Sequence, residues 1–223
     1  MSNSKALILG ILLLVPLLIF IFIGSFGEHH YTLRKYFPQV SSNGYDVLLD
    51  AKGDTLFNQV PDFKLTSQLN QPVSQKDLDG SIYVADFFFA TCPDICKEMS
   101  SQLVRVQEAF RDEPQVKLVS FTVNPEYDTP EVLQEYGKRY GASPDKWYFL
   151  TGDREQIYTL AKKGFYLPVM QVEGQQDFIH SEKFMLVDRD RYVRGIYNGT
   201  DRDDVDRLIL EIKVLLDEYS KSK

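Results

Sequence analysis

Sulfur and imidazole are scarce in this 223-residue chain, which holds two cysteines, four methionines and three histidines. Two thiols cannot build a disulfide framework. They form one bridge, one redox couple, or two ligands of one metal ion. Three histidines exclude a histidine-rich metal store. Basic residues are in deficit too, 25 Lys and Arg against 32 Asp and Glu, for a formal net charge of −7. Nothing offers the basic stripe that a nucleic-acid backbone requires, so nucleic acid is excluded as a partner. Internal repeats and low-complexity segments are missing as well.

Charge vanishes between Ala6 and Gly27, where most residues are Leu, Ile, Val or Phe. Such a run is long enough to cross a bilayer as a helix, and longer than the apolar region of a secretory signal. Gly24-Ser25 is a poor cleavage site, and no cysteine follows that could carry a lipid. Residues 1–27 are therefore expected to be an uncleaved membrane anchor. Lys5 on one side and Arg34 with Lys35 on the other leave its orientation open. Residues 28–44 read as a polar juxtamembrane linker, with Tyr31, Tyr36 and Phe37 suited to the interface; His29 and His30 in it read as polar rather than ligating. The folded domain is expected over residues 45–223, about 180 residues, enough for one core. A hydrophobic fraction of 43% and a charged fraction of 26% are ordinary for a globular protein.

Within that domain Pro61–Thr66 and Gln71–Ser74 read as a hairpin around Asn70-Gln71. Ser81 to Phe89 is nearly continuous β-branched and aromatic sequence, a buried central strand. A helix is expected from Pro93 to about Arg111, with Met99, Leu103, Val106 and Phe110 at core spacing. Val116–Val123 reads as a second buried strand. Thr129-Pro130-Glu131 opens another helix by the cap-then-proline rule. Trp147–Leu150 is a short strand, and Asp153 with Gln156 forms a capping box for a helix ending near Gly164. Phe184–Val187 and Tyr192–Tyr197 pair as a hairpin. A last amphipathic helix, Asp203 to Tyr219, puts Val205, Leu208, Ile209, Ile212, Leu215 and Leu216 on one face. This order is that of an α/β thioredoxin-like sandwich with an N-terminal β-hairpin, preceded by one transmembrane helix.

Both cysteines fall where the central strand meets its helix, in Cys92-Pro93-Asp94-Ile95-Cys96. With Cys92 as cap and Pro93 at the first helical position, Cys96 lies one turn along the same face. The helix N-terminus there favours thiolate over thiol. That helps disulfide exchange and the binding of a soft cation equally, so the motif alone leaves both open. A structural bridge would close too short a loop to add much stability. His180, immediately before the C-terminal hairpin, is the third candidate, because the loop entering that hairpin packs beside the cysteine corner in a thioredoxin-type sheet. Two thiolates and an imidazole suit copper, with zinc possible given a fourth ligand. Met99, Met170 and Met185 read as core residues rather than thioether ligands.

Three stretches carry a family likeness. Asp86 to Cys96 reads Asp-Phe-Phe-Phe-x-x-Cys-Pro-Asp-Ile-Cys, Thr122 to Glu131 reads Thr-Val-Asn-Pro-Glu-Tyr-Asp-Thr-Pro-Glu, and His180 follows late in the chain. In combination, from about Pro61 to the C-terminus and with the anchor, the sequence resembles the Sco/SenC copper chaperones. Ile179 stands where many members have aspartate, and Lys97 where proline is common. The resemblance implies a membrane-anchored thioredoxin-fold protein on the periplasmic side of a bacterial inner membrane. It implies copper, as Cu(I) and also Cu(II), held by Cys92, Cys96 and His180. The partner implied is cytochrome c oxidase subunit II, whose dinuclear CuA centre the family helps assemble. The alternative is a thiol–disulfide oxidoreductase that reduces that subunit's cysteines before metallation, with Cys92 attacking and Cys96 resolving.

Overall fold

β-Branched and aromatic residues run almost unbroken from Ile82 to Phe88 and form a strand, β3, whose seven residues are all buried. A strand covered on both faces belongs inside a sheet. The computed structural model describes residues 3–26, 32–170, 178–179 and 181–221. Among these, the other strands are β1 (Lys64–Ser67), β2 (Pro72–Ser74), β4 (Val116–Thr122), β5 (Trp147–Thr151), β6 (Val169–Met170), β7 (Phe178–Ile179), β8 (Lys183–Val187) and β9 (Val193–Asn198). Seven of them form one sheet in the order β2-β1-β5-β4-β3-β8-β9, and β6 with β7 makes a separate two-stranded ribbon.

The centre of the sheet is parallel. β3 pairs β4 with Val84 opposite Leu118, and β4 pairs β5 with Val119 opposite Tyr148. The crossovers run through helices α2 (Ile95–Ala109) and α3 (Pro130–Arg139). The flanks are antiparallel: β1 with β2 and β5 on one side, β8 with β3 and β9 on the other. Asn70, with φ 56°, supplies the left-handed residue that turns the β1–β2 hairpin, as the sequence expects.

Alternation along the strands splits the interior into two cores. Ile82, Val84 and Phe88 face α2, α3 and the C-terminal helix α5 (Arg202–Lys221), packing with Leu103, Leu133, Val205, Leu208, Ile212 and Leu215. Tyr83, Ala85 and Phe87 face the opposite way, onto Val60, Phe63, Ile157 of α4 (Arg154–Thr159), and Leu160 and Phe165 beyond it. Met99 and Met185 are buried in these cores as expected, while the Met170 side chain lies outside the described residues.

Two boundaries and one cap differ from the sequence expectation. The compact domain runs from Leu33 to Lys223 rather than from Tyr45. Leu33 is buried, and Arg194 holds its carbonyl through Nε at 3.1 Å and Nη2 at 2.5 Å; nothing local in the sequence announces such a tie. The half of the expected capping box contributed by Gln156 is absent. Its side-chain oxygen accepts the Lys64 amide at 2.7 Å instead, while Asp153 caps α4 alone through the Gln156 amide at 2.7 Å. The helix at the cysteines also starts late, for a reason that belongs to the site below. The other unit, Met1–Thr32, carries α1 (Asn3–Phe26). Among the described residues no helix is long and apolar enough to cross a membrane; in α1 the side chains are described without interruption only over residues 11–22.

Candidate thiol and metal site

β3 ends at Phe88, and α2 does not begin until Ile95. The intervening residues turn the chain and carry Cys92. The Cys92 amide donates to the Phe89 carbonyl at 3.1 Å, closing a turn. The Cys92 sulfur then accepts the Cys96 amide at 3.3 Å. It takes the part a hydroxyl or carboxylate oxygen usually plays at a helix start, satisfying one of the first-turn donors. The helix was expected to open at Pro93. Asp94 instead sits at φ −131°, ψ −70°, outside the helical region, and makes no side-chain cap, so α2 opens at Ile95. Cys92 keeps its capping role through sulfur, across a wider turn than the spacing implied.

Both thiols are free and each is only 4% exposed. Burial pushes the Cys96 thiol far up, and a hydrogen bond with Cys92 adds to the shift, against a backbone hydrogen bond from Phe89. The expectation that the helix N-terminus would favour thiolate therefore fails at Cys96: loss of water outweighs the helix dipole. Cys96 holds its proton, and a metal binding there must displace it. Asp86 contributes to this electrostatically. It is a buried carboxyl on the α2-facing side of β3, raised by desolvation to about 7, and it accepts from the Ser120 hydroxyl. Ser120 in turn accepts the Trp147 indole N–H at 2.9 Å.

The corner is braced from two sides. On one, Val123 donates its amide to the Phe88 carbonyl at 2.8 Å, and Asp128 Oδ2 accepts the Ala90 amide at 3.1 Å. On the other, the Tyr136 hydroxyl of α3 hydrogen-bonds Ser100 at 2.8 Å and donates to the Cys96 carbonyl at 3.4 Å, while its ring packs on Phe88 with centroids 5.0 Å apart. Tyr136 was not singled out from the sequence, and Asp128 was read only as part of the Thr122–Glu131 stretch that carries the family likeness. Asp86 did carry a signal, as an acidic residue inside an otherwise apolar strand.

His180, like His29 and His30, lies outside the described residues. Its neighbours are informative. Ser181 and Glu182 line a cavity of about 270 Å³ together with Leu167, Pro168, Lys183 and Ile95, the first residue of α2. The chain directly after His180 and the residue directly before Cys96 thus share one cavity. Among the described residues no group of three or more His, Cys, Asp or Glu side chains is arranged to hold a metal ion. The expected site needs His180 for its third donor. Two adjacent free thiols, buried from water, are nonetheless the donor chemistry a soft cation prefers.

A mixed sheet of this order, with paired thiols where its central strand meets the first crossover helix, defines a thioredoxin-like domain. The SCO1/SenC family model matches residues 52–217, and the chain belongs to that family. It is 35% identical over 162 residues to the SCO1 protein homolog of Bacillus subtilis, covering 72% of this chain and 84% of that protein. Among solved structures it is similar to BsSco, described as a member of the Sco family of cytochrome c oxidase assembly proteins in which a disulfide switch was identified. That match has a TM-score of 0.61 and 34% identity over 70% of this chain and 92% of that one. ScoI of Arabidopsis thaliana, solved with copper bound, matches with a TM-score of 0.60 and 26% identity, covering 73% of this chain and all of that one (100%).

Proposed function

We propose that this protein is a membrane-anchored copper chaperone that binds one copper ion through Cys92, Cys96 and His180. The observation that carries the reading is the pair of free, buried thiols at the start of α2, where the Cys92 sulfur accepts the Cys96 amide. Two thiolates and one imidazole make a soft, low-coordinate set suited to Cu(I) and tolerant of Cu(II). The copper bound to the Arabidopsis relative and the cavity lined by both Ile95 and Ser181 support the same assignment. Copper is cargo, passed on by ligand exchange as a partner thiol displaces one ligand at a time. The acceptor proposed is subunit II of cytochrome c oxidase, at its CuA centre, in keeping with the oxidase assembly ascribed to BsSco. The uncharged run from Ala6 to Gly27 anchors the protein in the bacterial inner membrane, with the domain on the periplasmic side.

The test uses the full-length chain in detergent, reduced and free of oxygen, titrated with Cu(I) against a competing chelator. One tight equivalent is expected, lost in Cys96→Ser and weakened in His180→Ala. Weak binding indifferent to His180 would overturn the reading.

A second reading is favoured by the free state of the thiols and by the disulfide switch ascribed to BsSco. Here Cys92 attacks a disulfide in the partner, forming a mixed disulfide and releasing one partner thiol. Cys96 then gives up its proton and displaces the second, leaving a Cys92–Cys96 disulfide and a partner reduced by two electrons. Reduction of a model disulfide by the copper-free chain, abolished in Cys92→Ser, is the result that would select it.

A further inference from the structure

We propose that Asp128 is a positioning residue for the thiol corner, holding the turn that presents Cys92 beside Cys96. The last β3–β4 register pair is Phe88 with Thr122. Beyond it, among the described residues, no further register pair joins β3 to β4. Ala90, two residues past that point and two before Cys92, finds its acceptor in the Asp128 carboxylate at 3.1 Å. A side chain thus continues the work of the missing strand, as far as the Cys92 turn closed by the Phe89 carbonyl.

Asp128 is itself held by a ring of hydrogen bonds. Its own amide donates to the Asn124 carbonyl at 2.9 Å, and Asn124 donates to the Thr122 hydroxyl at 3.0 Å. The Thr122 hydroxyl in turn donates to Asp128 Oδ2. Outside this ring, the Tyr158 hydroxyl donates to the Val123 carbonyl at 3.1 Å, and Arg154 pairs with Glu126 at 3.1 Å. The arrangement is costly in one respect. Asp128 is fully buried, and both donors go to Oδ2, leaving Oδ1 buried without a hydrogen-bond partner among the described residues. Burying a carboxylate half-satisfied opposes folding. The carboxylate lies directly against the segment that leads into the Cys92 turn, and its bond to Ala90 is what that cost secures.

The test uses the full-length chain in detergent and three variants. Asp128→Ala removes the acceptor. Asp128→Asn keeps a carbonyl oxygen for Ala90. Thr129→Ala removes the neighbouring cap of α3, where the Thr129 hydroxyl accepts the Val132 amide, without touching Ala90. In the copper-free reduced protein, Asp128→Ala is expected to speed cysteine alkylation by iodoacetamide about tenfold, the scale set by losing one hydrogen bond to a charged acceptor. Asp128→Asn is expected to restore the slow rate, and Thr129→Ala to lower the thermal midpoint while leaving alkylation unchanged. A second arm, which rests on the copper reading above, measures Cu(I) affinity. It should fall by about ten- to a hundredfold in Asp128→Ala and recover in Asp128→Asn.

Equal acceleration by Thr129→Ala, or no rescue by Asn, would reduce Asp128 to a general stabiliser and overturn the proposal. If the unaltered chain binds no Cu(I), the copper reading falls while the alkylation arm still decides this one. Should Asp128→Ala fail to fold, hydrogen exchange at the Ala90 amide of the unaltered chain serves instead. Slow exchange is expected, and exchange at the rate of a free loop amide overturns the latch.

Discussion

Asp86 is a carboxyl group in a place that water does not reach, touched by a serine hydroxyl that is itself held by the Trp147 indole. Burial raises it to about 7, from an ordinary value of 3.8. Between those pH values the native chain binds a proton that the unfolded chain has lost. This contribution to stability is therefore complete below about pH 4 and is lost as pH rises to about 7, amounting to about 4 kcal/mol. Asp86→Asn keeps an oxygen for Ser120 and cannot ionise. Urea denaturation across this pH range should show the variant gaining on the wild type by up to that amount; parallel curves would rule out the buried carboxyl as the cause. At the same scale the cysteine pair was legible from spacing alone, because chemistry restricts what two isolated thiols can do. The protonation of Cys96 was not, since it depends on how completely the surrounding helices and strands exclude water.

Elements built on strong periodicity were legible too. β3 and β4 followed from unbroken apolar runs, and Val205, Leu208, Ile212 and Leu215 of α5 are all buried as their spacing requires. The β6–β7 ribbon was missed, because strands of two residues carry no pattern to read. The delayed start of α2 was missed because a sulfur cap across a four-residue step leaves no mark distinct from an ordinary cap. Within β9, Gly195 meets a constraint visible only after folding. A Cβ there would collide with the Tyr197 hydroxyl, which donates to Glu211 of α5 from a buried position. Gly195→Ala is expected to lower stability by about 1–3 kcal/mol through displacement of that tyrosine. A lower urea midpoint at unchanged slope would show it, and an unchanged midpoint would mean the ring has room to move.

For the molecule as a whole, Arg194 ties distant parts of the domain together. Its guanidinium donates to the Leu33 carbonyl, pairs with Asp188 at 2.9 Å and reaches Glu218 of α5 at 3.2 Å. Arg194 and Asp188 are both almost fully buried, so removing the arginine leaves a buried carboxylate without its cation, held only by the Asp190 and Tyr192 amides on Oδ1. Arg194→Met should cost about 3–5 kcal/mol, the range for breaking a buried pair. It should also expose residues 33–44 to limited proteolysis ahead of the rest of the domain. Cleavage at wild-type sites and rates would show that this segment is held by other contacts.

The sequence by itself determined the seven strands of the main sheet, the helices that flank it, the thiol pair and the apolar N-terminal run, because each depends on residue type and spacing along a short stretch of chain. Only the tertiary structure decided that the domain begins at Leu33, that Cys96 stays protonated, and that Asp128 holds the turn before Cys92. Those outcomes come from hydrogen bonds and burial between residues far apart in the chain, 161 positions for Arg194 and Leu33 and 38 for Asp128 and Ala90. A side chain bonded to a distant backbone group leaves no periodic trace, and its partner exists only once the fold has brought the two together.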